Sequence, residues 1–198
     1  QTVRLDLPFD IAAEGLRRGM NSLLDPDVRV REIVPCAYDF HPQISATAKE
    51  YCYLFSGGVE VSPLLRDFIV ETGNFSHLSE MIEAAQLFEG EHDFANYFTV
   101  GTEVSSTVRT IFSCKIEQGS SLLDPAFYQM PYLMLRVKGS GFLKQMVRLM
   151  MGALWEVGRG KIAGQDIINS LSAQKMSRHL SAVTPPHGLI LNRVWYAD

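Results

Sequence analysis

With 198 residues, 46% hydrophobic and 20% charged, the chain has the composition of an ordinary globular protein, long enough for one large domain or two small ones. No run reaches the ~18 uninterrupted apolar residues of a membrane span, although 142–157 comes nearest, and the opening residues show no signal-peptide pattern. Net charge is −4, which argues weakly against a nucleic-acid partner, yet between Tyr132 and Leu180 eight Lys and Arg stand against two acids, Glu156 and Asp166. Cys36, Cys52 and Cys114 are widely spaced and odd in number. They read as small core residues of a reducing, intracellular compartment, neither a disulfide framework nor a zinc site.

In chain order, residues 1–7 alternate Val3, Leu5 and Leu7 and are expected to form a strand that Pro8 ends. Asp10 is placed to cap a helix through residue 24, with Ile11, Leu16, Met20 and Leu23 on one face. Asp25-Pro26-Asp27 marks a turn, and 28–34 reads as a returning strand. In 49–54, Lys49, Tyr51 and Tyr53 share one strand face, and Cys52 and Leu54 share the other. Two tyrosines on one strand face are an ordinary sign of packing at a core edge. Gly57-Gly58 marks a turn, and 63–70 reads as a short helix. Residues 76–88 are amphipathic, with Leu78, Met81, Ile82, Ala85 and Phe88 on one side and Gly90 as a natural stop. Residues 107–117 alternate as a strand, with Val108, Thr110, Phe112, Cys114 and Ile116 expected on one side. A polar, turn-rich hairpin loop follows over 118–131.

The stretch 132–161 carries the most information. Leu133, Leu135 and Val137 alternate with Tyr132, Met134, Arg136 and Lys138, the pattern of a half-buried strand. Gly139 and Gly141 bracket a tight turn into a helix expected over 142–157. On a helical wheel Lys144, Gln145, Arg148 and Glu156 fall within roughly a third of the circumference, and apolar side chains cover the rest. Arg148 therefore sits on a mostly buried helix, where a charge must be paired or line a cleft. Spacing leaves two readings open: a structural ion pair, with Glu156 or a neighbouring strand, or a catalytic role. A short helix over 165–171 and a last strand ending at Trp195-Tyr196 complete the chain, which reads as α+β with an antiparallel sheet.

Residues 139–161, GSGFLKQMVRLMMGALWEVGRGK, resemble the G-x-x-F-L-x-x-M-V-R-x-x-x-G-x-L-x-x-V-G-x-G-K segment of the TruA-type tRNA pseudouridine synthase family. Residues 40–53, FHPQISATAKEYCY, resemble the family's F-H-A-R-F-S-A-x-x-K-x-Y-x-Y motif, with Pro42-Gln43 in place of Ala-Arg. Residues 91–97 resemble its G-x-H-D-F-x-x-F/Y segment, Arg109-Thr110-Ile111 its R-x-I element, and the loop through Pro185, His187, Gly188 and Leu189 its A-P-x-H-G-L-x-L segment. The resemblance implies a pseudouridine synthase fold: an antiparallel sheet flanked by helices in two ferredoxin-like halves. Residues 1–55 would be the remainder of an incomplete N-terminal half. Residues 56–198 would be the C-terminal half with the active-site helix 142–157, the two making one continuous catalytic domain.

The resemblance also implies chemistry. The family isomerises uridine to pseudouridine in RNA without cofactor or metal, and the expected substrate here is tRNA or another structured RNA, with the anticodon stem-loop region as the expected target. Tyr51 would stack on the base and help move its proton, and Arg148 would pair with the catalytic aspartate. Leu189 would border the base, and Lys49, Lys144, Arg136, Lys138 and Arg159 would bind substrate. His92-Asp93 is read as structural, because the matching family residues are not its nucleophile, and His187 is not taken as a general base, because the family does not use it so. A homodimer is among the expected states, and no membrane contact is expected. The family's G-R-T-D-A-G-V-H-A motif, which holds the aspartate, does not occur in the 198 residues. The expectation is a fragment starting just after that loop and inactive alone. The alternative is a catalytically silent module that binds structured RNA.

Overall fold

The computed structural model describes residues 1–99, 101, 104–119, 130–172, 176, 177 and 179–197. The chain forms two compact units, Gln1–Ala46 and Thr47–Asp198.

The first unit holds one helix, α1 (Ala13–Leu23). Ala12, not Asp10, stands at its N-cap, and no side chain caps it. Exposed pairs from Glu14 to Arg17 (2.8 Å) and Arg18 (2.9 Å) lie along its first turns at helical spacing. The Asn21 amide donates to the Val30 carbonyl (2.9 Å) and accepts from the Val30 N–H (2.8 Å), which ties the returning chain to α1. The strands expected over 1–7 and 28–34 do not form: neither segment is paired in a ladder. Alternation shows only that a segment could be half buried. A strand exists through a partner's hydrogen bonds, and Val3, Leu5, Val28 and Val34 stay exposed.

The second unit carries a sheet ordered β2-β3-β4-β1-β5, with β1 (Ala46–Phe55), β2 (Gly90–Asp93), β3 (Val108–Gly119), β4 (Tyr132–Gly139) and β5 (Leu189–Tyr196). The β1/β4, β2/β3 and β3/β4 pairs are antiparallel. Helices α2 (Leu78–Ala85), α3 (Met146–Gly158) and α4 (Gly164–Ser170) lie in the connections. Leaving aside the short edge strand β2 and α4, the order is β1-α2-β3-β4-α3-β5, the split β-α-β arrangement of a ferredoxin-like half. Of the loop expected over 118–131, residues 120–129 lie outside the described residues.

Alternation places Tyr53 and Phe55 of β1 and Leu135 and Val137 of β4 on the face packed by α2 and α3, where all four are 0% exposed. Cys52 and Leu54 point the other way and join Val61, Leu65, Ile69 and Met130 in a smaller cluster. Residues 63–70, expected as a helix, instead form turns that lay Leu65 and Ile69 on that cluster and end in a parallel bridge between Phe55 and Val70. β3 departs from strict alternation. Its register to β4 slips between Ile111 and Ser113, so Ile111 is buried while Phe112, expected inside, is 50% exposed. One extra residue in a ladder reverses the facing of every residue on one side of it.

Helix α3 buries eleven of its 13 residues, and only Arg148 and Glu156 are not buried. It begins four residues later than the pattern implied. Gln145 takes the left-handed conformation (φ 62°, ψ 9°), so 142–145 form a turn and the helix starts at Met146.

Candidate active site at the start of α3

The turn before α3 is built by short bonds. The Met146 N–H donates to the Leu143 carbonyl (3.1 Å), the Leu149 N–H to the Gln145 carbonyl (3.0 Å), and the Thr99 N–H to the Lys144 carbonyl (3.3 Å). These hold six consecutive residues, Phe142 to Val147, along one wall of a cleft of about 290 Å³. Tyr51 of β1 and Leu189 of β5 complete its lining. The Tyr51 ring meets Phe142 edge-on, centroids 5.1 Å apart and planes at 83°. Burial pushes the Tyr51 phenol above its ordinary 10.0, so it stands as a protonated hydroxyl at neutral pH.

Leu189 is fixed by its neighbours. The Leu54 N–H donates to the Gly188 carbonyl (2.9 Å), and the Leu189 N–H donates to the Pro186 carbonyl (3.0 Å). A Cβ on Gly188 would come 2.7 Å from the Leu54 carbonyl oxygen, so only glycine allows this close approach of loop to strand.

Arg148, half buried on α3, donates through Nε to the Thr184 carbonyl at 2.6 Å. The ion pair with Glu156 that spacing left open is not made. Glu156 instead receives Arg159 (2.6 Å) and Lys161 (3.0 Å) at the far end of the helix. Among the described residues, no carboxylate pairs with Arg148.

The cleft thus brings together Tyr51, Lys144 and Leu189 of the expected site. Lys49 lies on the Tyr51 face of β1 by alternation, two residues away. The other expected substrate contacts stand elsewhere. Arg136 lies on the reverse face of the sheet between Glu50 (3.0 Å) and Glu117 (3.2 Å). Lys138 sits 4.1 Å from the centre of the Trp195 ring. Arg159 caps the C-terminal end of α3. The His92-Asp93 pair serves structure: Asp93 Oδ1 accepts from the Ala95 N–H (3.0 Å) and the Thr107 hydroxyl (2.6 Å), and a His92 ring nitrogen bonds the Glu89 carbonyl (2.8 Å). Phe142 and Gln145, expected within the helix, belong to the turn that precedes it. The signal for a turn was weak, since glutamine is an uncommon left-handed residue.

Among the described residues, no group of three or more His, Cys, Asp or Glu side chains converges as a metal site would require. No described helix is long and apolar enough to cross a membrane.

Residues 84–197 match the sequence model of a family described as tRNA pseudouridine synthase. Over its whole length the chain is 33% identical to the tRNA pseudouridine synthase A of Geobacillus kaustophilus, covering 72% of that protein. It is 35% identical to the enzyme of that name from Pseudothermotoga lettingae over 98% of this chain and 75% of the relative. Against that of Solidesulfovibrio magneticus, identity is 37% over 99% of this chain and 69% of the relative. A matched family model over the α3 and β5 regions, full-length similarity to three such proteins and a split β-α-β sheet agree: the chain belongs to the tRNA pseudouridine synthase family.

Proposed function

We propose that this protein isomerises uridine to pseudouridine in tRNA, with the base seated in the cleft between Tyr51 and the turn that opens α3. The observation that carries the proposal is the cleft itself: a half-buried phenol, an edge-on phenylalanine and a leucine around about 290 Å³, with a half-buried arginine on the same helix that has no carboxylate partner among the described residues. Such a space is near the lower limit for a small-molecule site and suits a single base.

The reaction breaks the N1–C1′ bond, turns the base and joins C5 to C1′. The proton on C5 leaves, and N1 ends protonated. The base must first leave its stack, at a cost of a few kcal/mol, roughly, and contact with Tyr51 and Leu189 offsets part of that. In this proposal the Tyr51 hydroxyl relays a proton to or from the turned base. Arg148 holds the family's catalytic carboxylate ionised and aimed at C1′. The apolar walls keep water from the separated fragments. No aspartate of the 198 residues is assigned as nucleophile. Lys49 and Lys144 hold phosphates beside the cleft. A folded tRNA is large compared with the cleft, so Arg136, Lys138 and Arg159 stay in the proposal as outlying phosphate contacts. Action inside the cell, and pairing of two copies as the resemblance implies, belong to the same proposal.

The test is pseudouridine formation in tRNA transcript by protein that carries the G-R-T-D loop, compared with its Arg148→Ala variant. Turnover in the first and its loss in the second is the expected result. Tight, salt-dependent tRNA binding with no pseudouridine in either would favour the silent RNA-binding module instead. Near-normal turnover in Arg148→Ala would remove Arg148 from the mechanism.

A further inference from the structure

Three partly buried hydrogen bonds tie the 184–185 backbone to its neighbours, two of them to Arg148. Its Nε donates to the Thr184 carbonyl (2.6 Å), and the Thr184 hydroxyl donates back to the Arg148 carbonyl (3.0 Å). One residue on, the Tyr53 hydroxyl donates to the Pro185 carbonyl (2.8 Å). Tyr53 is 0% exposed and Thr184 3% exposed, so neither makes these bonds as an accident of the surface. We propose that Tyr53 and Thr184 are positioning residues that clamp the 184–185 backbone and, through it, set the guanidinium of Arg148 for the reaction.

The geometry of arginine gives the clamp its purpose. A guanidinium has five N–H donors arranged in a fixed plane. Once Nε is held by the Thr184 carbonyl, the two terminal nitrogens remain, and their fork matches the two oxygens of a carboxylate. The held edge decides where the free edge points. A flexible arginine on a helix would otherwise sample several rotamers, and small displacements from a reacting geometry are costly in rate.

The loop is built to keep its carbonyl still. Pro185 and Pro186 fix their own φ, and a residue before proline is confined to extended conformations, which restrains Thr184. The Ser181 hydroxyl reaches the Leu149 carbonyl (3.4 Å), adding a second point of attachment to α3. Burial pushes the Tyr53 phenol up to about 12, with Thr184 and the charge of Arg148 opposing that rise, so the hydroxyl remains a donor to the Pro185 carbonyl at any working pH. The Tyr53 hydroxyl, the Thr184 hydroxyl and the Arg148 Nε–H each have a carbonyl partner, and such linked bonds favour one arrangement. The inference rests on the reading of Arg148 given above. Tyr53 and Thr184 themselves touch no substrate.

Two measurements test it. The first needs no turnover: solvent exchange of the Arg148 Nε–H in the 198-residue protein by ¹⁵N nuclear magnetic resonance, the signal being assigned by its loss in Arg148→Lys. Exchange is expected to be slow in the wild type and in Thr184→Ser. It is expected to be about tenfold faster or more in Thr184→Val and Tyr53→Phe, nearly isosteric changes whose melting curves report whether the fold is kept. Unchanged exchange in both folded variants overturns the clamp.

The second is steady-state turnover in protein carrying the G-R-T-D loop. Thr184→Val and Tyr53→Phe are expected to lower kcat about tenfold or more with KM for tRNA within about twofold, and Thr184→Ser is expected to restore kcat. If Arg148→Ala is inactive while both variants keep wild-type kcat, the clamp fails and the wider reading stands. If Arg148→Ala stays active, the wider reading itself fails.

Discussion

Gly152 of α3 faces the Ala182 carbonyl so closely that a Cβ at this position would lie 2.6 Å from that oxygen and would also collide with the Ser181 hydroxyl. The Ser181 side chain can turn aside, but the Ala182 backbone cannot move without dragging the loop that holds Thr184. Gly152→Ala is therefore expected to cost about 1–3 kcal/mol of stability through overpacking, despite the better helix propensity of alanine. In protein carrying the G-R-T-D loop it should also lower turnover. A variant as stable as the wild type in urea titration would show that the loop yields freely.

Gln145 opens α3 from the left-handed region (φ 62°), which costs a residue with a Cβ roughly 1–2 kcal/mol. Gln145→Gly should be neutral or stabilising at the level of the fold, and Gln145→Ile should destabilise by about 1 kcal/mol or more. Lys144 and Phe142 are presented by this turn, so Gln145→Ile should also weaken tRNA binding. Thermal melting of the two variants side by side checks the sign. A less stable glycine variant would mean that the Gln145 side chain contributes more than the backbone conformation costs.

Tyr51 combines a ring against Phe142 with a protonated hydroxyl, and the two functions separate by substitution. Tyr51→Phe should leave tRNA affinity within about threefold and lower turnover by about a hundredfold or more, the usual worth of a positioned proton-transfer group. Tyr51→Ala should lose affinity as well. Because burial raises the phenol above 10.0, its ionisation should not reduce turnover below about pH 10. Wild-type turnover in Tyr51→Phe would limit Tyr51 to stacking.

Stability should fall at high pH, starting near pH 9. Cys114 is 0% exposed, and burial, with a smaller push from Glu89, raises its thiol far above the ordinary 9.0. The unfolded chain releases that proton above pH 9 while the folded chain keeps it. The contribution is thus full below pH 9 and is lost as pH climbs toward the folded value. Tyr53 adds the same sign of effect between its ordinary 10.0 and about 12. Urea midpoints at pH 8, 9 and 10 should decline in the wild type and decline less between 9 and 10 in Cys114→Ala. Equal slopes in the two proteins would assign the loss to other groups.

Much of the fold was readable because period and burial go together over short distances. β4 was legible from Leu133, Leu135 and Val137, and β1 from the opposition of Tyr53 to Cys52 and Leu54. The burial of α3 and the exceptional standing of Arg148 on it followed from one helical wheel. The misreadings share a cause. Phe112 turned outward because a bulge lies between Ile111 and Ser113, and no local pattern records where a ladder slips. Residues 1–7 and 28–34 alternate as strands do, yet strand formation depends on a neighbour that their own sequence does not specify. Gln145 interrupts a helical pattern without a glycine or proline to announce it.

The sequence by itself determined the family, the alternating strands, the buried helix and the residue types available for chemistry, since these depend on order along the chain. Only the tertiary structure decided which of those residues meet. It put Tyr51 and Leu189 in one cleft with the turn before α3, and it placed Arg136 and Lys138 away from that cleft. It also gave Arg148 a carbonyl 36 positions away in place of Glu156 on its own helix. The physical reason is range. Periodicity is a property of neighbours in sequence, whereas a hydrogen bond between α3 and the 181–188 loop depends on the sheet that carries both.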